Sequence, residues 1–278
     1  MADQKRFNGQ VGFTNDVQIK IAGEGVHGPT AVLFGKNEAD KADPYQQSVT
    51  PLYELGTELV YGGRHYRYGR LGSGGVTVGK CLQTSPLHAD TKNLTPVAAA
   101  VGSRQLTVEL AGQNTGDLFK DFFIGGYAVI SDDAGEGFAY KIKSSPALDV
   151  SESQTLVLTL HDPIQVAITT SSRVDLIVNP YAGLVVAPHG GGTHTGAVVG
   201  VTAMSMTANY YGWVQTKGVA SVLTQGALVE GHAVHRSIAT TDGAVSAVGE
   251  NFIGGPPVGT CIHNAGTGKY STIDLNIN

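Results

Sequence analysis

The chain has 278 residues, a formal net charge of −5, and only 15% charged residues beside 41% hydrophobic ones. Glycine fills 38 positions, about one residue in seven and roughly twice ordinary usage. This balance excludes an acidic disordered chain. No run approaches the roughly 18 apolar residues of a membrane-spanning helix, and the lack of a large Lys/Arg cluster argues against a nucleic-acid binder.

The N-terminal stretch MADQKRFNGQ has no apolar core of the kind a secretory signal needs, so synthesis in a cytoplasm is expected. Residues 1–50 carry short apolar pieces between turn residues. Val17, Ile19 and Ile21 alternate with Gln18 and Lys20, Ala31-Val32-Leu33-Phe34 follows, and then comes the charged run Lys36 to Pro44. These pieces are too sparse to close a core. The segment reads as an arm lying along another surface, another chain included; an ordinary loop-rich start to the first domain is the alternative.

From Pro51 onward, short strand patterns alternate with turn signals. Glu58-Leu59-Val60-Tyr61 and Arg64-His65-Tyr66-Arg67-Tyr68 flank Gly62-Gly63, a pair suited to a two-residue hairpin. At strand spacing Arg64, Tyr66, Tyr68 and Arg70 share one face. Leu106, Val108 and Leu110 alternate with polar neighbours, and a single helical turn is expected over Asp117 to Phe123. Tyr127 to Ile130 and Phe138 to Ile142, joined by the turn Asp132 to Gly137, make the clearest hairpin. Leu156, Leu158, Leu160 and the run Val174 to Val178 complete this set. Tyr210 to Thr216 and Val219 to Leu223 flank Lys217-Gly218, which reads as a turn. Ile273, Leu275 and Ile277 define a clean last strand.

Strands at intervals of about ten residues without helical periods indicate an all-β protein. The expected architecture is a small β-barrel with an inserted β-sandwich-like unit and an extended N-terminal arm. The arm covers residues 1–50, the discontinuous barrel 51–93 and 194–278, and the inserted domain 94–193.

Chemistry is weakly signalled. No G-x-S-x-G elbow is present, and Gly72-Ser73-Gly74-Gly75 lacks the Gly-Lys-Ser/Thr ending of a phosphate loop. Cys81 and Cys261 read as two small buried thiols; whether they bond to each other stays open. His189 with His194, His232 with His235, and the carboxylates Asp132, Asp133 and Glu136 are the residue types that could ligate a metal. The first pair lies on a Gly-rich loop, the second points to opposite faces of a strand, and the third reads equally as a hairpin turn. No cofactor, metal or catalytic residue is expected. The residue types enriched at buried contacts single out Arg64, Tyr66, Tyr68 and Arg70, with Tyr210 and Tyr211, as candidate interface residues. Trp213, the only tryptophan, reads as core.

Two stretches carry a family resemblance: Leu55-Gly56-Thr57-Glu58-Leu59-Val60-Tyr61-Gly62-Gly63-Arg64-His65-Tyr66-Arg67-Tyr68 on to Gly79-Lys80, and Tyr211-Gly212-Trp213-Val214-Gln215-Thr216-Lys217-Gly218 through Gly259-Thr260-Cys261 to the last strand. Together they resemble the head-decoration, or capsid cement, proteins of tailed bacteriophages, over about half the chain. The resemblance implies a non-enzymatic virion protein made in the host cytoplasm. It would bind the assembled major capsid protein on the outer surface of the head, often as a homotrimer, and stiffen the shell. The smallest members have no counterpart of 94–193. A head or tail fibre protein binding host glycans, with Tyr210 or Tyr211 in an exposed patch, is the first alternative; a β-sandwich polysaccharide hydrolase is the second.

Overall fold

The computed structural model describes residues 32–34, 42–86, 91–110, 121–147, 154–189, 195–237, 239–247 and 257–277. Most of the expected helical turn at Asp117 to Phe123, the Val17–Ile21 strand and His194 lie outside them. The described residues form eighteen strands and no α-helix, so the protein is all-β. Chain order gives β1 (Val32–Phe34), β2 (Gln47–Ser48), β3 (Glu58–Tyr61), β4 (Arg64–Arg70) and β5 (Cys81–Gln83). Next come β6 (Thr95–Pro96), β7 (Gln105–Leu110), β8 (Tyr127–Asp132), β9 (Ala139–Ser144), β10 (Gln154–Leu160) and β11 (Arg173–Ile177). The last seven are β12 (Val185–Val186), β13 (Val198–Thr202), β14 (Tyr211–Leu223), β15 (Ala233–Arg236), β16 (Val245–Ala247), β17 (Gly259–His263) and β18 (Tyr270–Asn276).

Strands β6 to β11 make a six-stranded sheet in the order β11-β8-β9-β10-β7-β6. Its sequences alternate because one face is wet: Leu106, Val108 and Leu110 of β7, and Leu156, Leu158 and Leu160 of β10, all point into one apolar core. Leu94, just before β6, exchanges two backbone hydrogen bonds with Val174 of β11, at 2.9 and 3.0 Å. The two ends of the sheet therefore meet. The unit expected to be sandwich-like is one curled sheet that closes on itself, which removes both of its edges.

The other twelve strands, from both sides of that segment, form the second sheet. Its spine is the 13-residue β14. From β14 the pairing runs through β18, β17 and β15 to β16, and a parallel bridge between Val245 and Thr224 brings β16 back to the end of β14. This barrel-like ring encloses Val222, Val234, Val245, Cys261 and Ile273, with Cys81 in the same cluster. Both cysteines are free. Burial pushes the Cys81 thiol up to about 12, against the pull of Arg236. Burial raises Cys261 as well, with Glu230 adding to it. Both thiols are therefore protonated and inert at neutral pH.

Gly62 and Gly63 close the β3–β4 hairpin with φ of +56° and +76°, the double positive φ that a type I′ turn demands. Lys217-Gly218, which reads as a turn, lies inside continuous β14. The register against β4 shifts between Gln215 and Lys217, and Gly218 has φ +84°, so the pair forms a bulge. Arg236, though buried, donates from Nη1 to Gln83 Oε1 at 2.8 Å, and Gln83 Nε2 donates to Thr195 Oγ1 at 2.6 Å. That chain ties β15 to β5 and to the segment that re-enters the large sheet.

The end of the segment expected to be an arm is part of this sheet. Gln47 and Ser48 pair antiparallel with Gly212 and Tyr211, and Ala42 is buried against Leu59, Tyr66 and Trp213. Further upstream, β1 runs parallel to β3. Residues 1–31 and 35–41 are outside the described residues.

Candidate functional site

Strand β4 carries most of the candidate interface residues, all on one face. His65 and Arg67 point one way and share a carboxylate: His65 Nδ1 lies 2.7 Å from Glu58 Oε1, and Arg67 Nη2 3.3 Å from Glu58 Oε2. Arg64, Tyr66, Tyr68 and Arg70 point the other way. Their fates differ along the strand.

In the middle, Tyr66 and Tyr68 are 0% and 2% exposed. They pack with Leu59, Ala42 and Trp213 in one aromatic core cluster. The Tyr68 ring meets Tyr53 edge-on with centroids 5.2 Å apart and Trp213 at 5.0 Å. Its hydroxyl accepts the Leu52 N–H at 3.1 Å. Both tyrosines thus hold the molecule together in the single chain rather than presenting a surface, and Trp213 is core, 2% exposed. At the C-terminal end of β4, the Arg70 guanidinium carbon lies 5.8 Å from the centroid of the half-buried Tyr211 ring. Arg70 Nη2 also donates to Asn209 Oδ1 at 3.2 Å. Tyr211 stacks on Tyr68 at 6.1 Å. Tyr210 is half-buried, and its carbonyl accepts the Leu71 N–H.

At the N-terminal end of β4, Arg64 sits where β14 bulges. Gly218 gives it room: a Cβ there would lie 3.2 Å from Arg64 Cγ. The bulge is braced from within by Gln215, whose Nε2 donates to the carbonyls of Lys217, Gly218 and Val219 at 3.2, 3.1 and 3.1 Å. The guanidinium donates from Nη2 to the Tyr45 hydroxyl at 2.8 Å and lies 6.0 Å from that ring's centroid. It also lies 5.8 Å from the Tyr66 ring. Burial drives the Tyr66 phenol well above its ordinary range, with Arg64 opposing and Tyr45 and Tyr61 adding to it. Around this group opens a concavity of about 260 Å³, walled by Tyr45, Arg64, Val78, Gln215, Val219 and Thr272 among others. Tyr45, Val78 and Val219 are exposed there.

The sequence candidates therefore separate into two ends of one strand, Arg64 with Tyr66 and Arg70 with Tyr211, joined by buried Tyr68. Tyr45 and Gln215 were not singled out in the sequence. Tyr45 falls in the segment read as an arm, and the only local signal is the Asp43-Pro44 turn, in which Asp43 Oδ1 accepts the Tyr45 N–H at 2.8 Å.

Asp132, Asp133 and His189 have structural partners. Asp132 and Asp133 end the β8–β9 hairpin, where Asp132 Oδ1 accepts the Asp133 N–H and Asp133 takes φ +60°. His189 Nδ1 lies 2.6 Å from Asp242 Oδ1. His232 is exposed while His235 is buried. Among the described residues, no group of three or more His, Cys, Asp or Glu is placed to hold a metal ion.

No protein-family model matches the chain, and neither a curated protein nor a solved structure matches it significantly. What the coordinates define is an all-β protein of two curled sheets.

Proposed function

We propose that this chain is a non-enzymatic virion protein that binds the assembled major capsid protein on the outside of a bacteriophage head and stiffens it, working as a homotrimer. The observation that carries the reading is how the N-terminal part of the chain is used. Backbone at 32–34 lies parallel along β3 and backbone at 47–48 lies antiparallel on β14, each as a short added strand. Strand addition is how an extended segment fastens one protein to a neighbour's sheet, because main-chain hydrogen bonds need no particular side chains. Beside these strands Tyr45, Val49 and Leu52 are exposed at 44%, 66% and 66%, apolar surface that a covering partner would bury. Repetition on a lattice raises effective concentration, so modest contacts of this kind suffice to hold each copy.

The test is a chain lacking residues 1–41, incubated with purified heads and counted per particle by quantitative mass spectrometry. Occupancy at least about tenfold lower is expected, with trimers lost in light scattering; this is the loss of a multi-point attachment. Unchanged occupancy and unchanged trimers would overturn the fastening role. Absence of the full chain from mature particles would overturn the reading as a whole.

A further inference from the structure

Arg64 is a cation in a concave site with no acidic side chain beside it among the described residues. The other basic side chains of β4 have partners: His65 and Arg67 share Glu58, and Arg70 lies on Tyr211 and Asn209. Among the described residues Arg64 forms no ion pair, and none of the residues walling its concavity is acidic. The side-chain hydrogen bond described for it goes to a hydroxyl, that of Tyr45.

The chemistry of that bond matters. Arg64 can only donate. Tyr45 oxygen therefore accepts, and the Tyr45 O–H proton points elsewhere. A guanidinium with unused donors thus stands beside a hydroxyl donor, both at the mouth of a site whose other walls include the exposed methyl groups of Val78 and Val219. The Tyr66 phenol, fully buried, lies behind them. The array offers donors, one positive charge and an apolar collar. A carboxylate on a short aliphatic stem complements all three, since a planar guanidinium holds a carboxylate through two parallel hydrogen bonds.

We infer that the concavity formed by Arg64, Tyr45, Val78 and Val219 is a binding site for an acidic side chain of a partner protein, with the carboxylate on Arg64 and Tyr45 and its methylene stem between the two valines. That the partner is the capsid surface rests on the function proposed above; the site itself does not. Charge complementarity favours this occupant, and the β14 bulge, braced by Gln215, keeps the site open before the partner arrives.

The experiment titrates the full-length protein with N-acetyl-glutamate methylamide and follows amide and arginine side-chain NMR signals, with the glutamine analogue as control. Saturable shifts at Arg64, Tyr45 and Gly218 are expected for the glutamate probe alone, weakening as salt is raised. R64M should weaken binding at least about tenfold and Y45F by a few-fold, while R64K retains a part because it keeps the charge but not the fork. Retained core signals in each variant show that the fold survives. Equal response to the glutamine probe, or undiminished binding by R64M, would overturn the site. A second arm compares R64M with the parent on purified heads: reduced occupancy with intact trimers supports the capsid as partner. Undiminished occupancy, or loss of trimers in R64M, would overturn that assignment. If the parent itself fails to bind heads while the glutamate probe still titrates, the proposed function falls and the carboxylate site stands.

Discussion

The two sheets solve the same problem with different materials. The six-stranded unit has an almost wholly aliphatic interior built on Leu106, Ile130, Ile142, Leu158 and Leu176. Its strands read as clean alternation because each has one dry and one wet face. The large sheet divides its interior into three clusters and buries Gln83, Gln215, Thr224, Arg236 and Ser271 among them. In β14, Gly212 to Thr216 are buried without interruption, because both of its faces are covered. Uniform apolar packing gives a unit that needs only closure. A sheet that takes up added strands, holds a bulge and frames a charged concavity carries polar groups inside, such as Gln83, Gln215 and Thr224, held by specific partners.

That contrast can be broken at its two tightest backbone approaches. A Cβ at Gly126 would drive into the Ile177 carbonyl oxygen, and one at Gly259 into the Asp274 carbonyl oxygen. G126A is expected to destabilise the six-stranded unit, and G259A the ring of the large sheet, by about 3 kcal/mol each. Calorimetry should show two transitions in which each substitution lowers a different one; a single shared transition in both variants would mean that the sheets unfold as one.

The polar interior offers the next largest effect. Gln83→Leu leaves Arg236 Nη1 and Thr195 Oγ1 without the partners they now have, at a cost of about 2 kcal/mol by urea denaturation. Arg236→Met should cost less, because it removes the buried charge along with its desolvation penalty. The opposite order would show that the guanidinium does more than satisfy Gln83. A milder effect is expected at the β3–β4 turn, where Ala at Gly62 or Gly63 should cost about 1 kcal/mol each through the positive φ.

The smallest effect depends on pH. Burial works against the Asp242 carboxylate, but the His189 backbone N–H, the His189 ring and the Lys80 charge outweigh it and hold Asp242 below the ordinary carboxylate range. A depressed folded-state value stabilises the protein above the unfolded-state value, about pH 4, and that contribution fades as pH falls through the folded-state value. The parent's advantage over D242N in urea midpoints should therefore be present above about pH 4 and fade progressively as pH falls further below it. A gap that widens in acid would contradict the pairing.

Much of this contrast was legible in the sequence, and what was hidden has a common cause. The final strand showed its face: Ile273, Leu275 and Ile277 are 0%, 2% and 6% exposed. Gly62-Gly63 marked its turn and the Leu156–Leu160 alternation its strand, because each is a local relation with a fixed period. Ring closure was not legible, since the Leu94–Val174 and Thr224–Val245 bridges join residues far apart in the chain and leave no periodic trace. Lys217-Gly218 misled for a related reason. A glycine with positive φ serves a turn and a bulge equally, and only the change of partner from β4 to β18 decides between them. The candidate site was half legible. Arg64 stood out by residue type, but burial of Tyr66 and Tyr68 depends on Trp213 and Tyr53 arriving from elsewhere in the chain, and Tyr45 reaches Arg64 across a turn.

The chain leaves the large sheet at Gln83 and comes back at Val185, and these two residues are cross-strand partners. Paired antiparallel residues lie about 5 Å apart, so departure and return share one doorway. Apart from Tyr181 to Leu184, which pack and hydrogen-bond against Arg70, Leu71 and Gly72, the stretch between could be exchanged for another folded module whose two ends lie side by side. The molecule is thus built as a large sheet carrying a six-stranded unit on a single pair of neighbouring strands, so the unit can change without rebuilding the sheet that holds it.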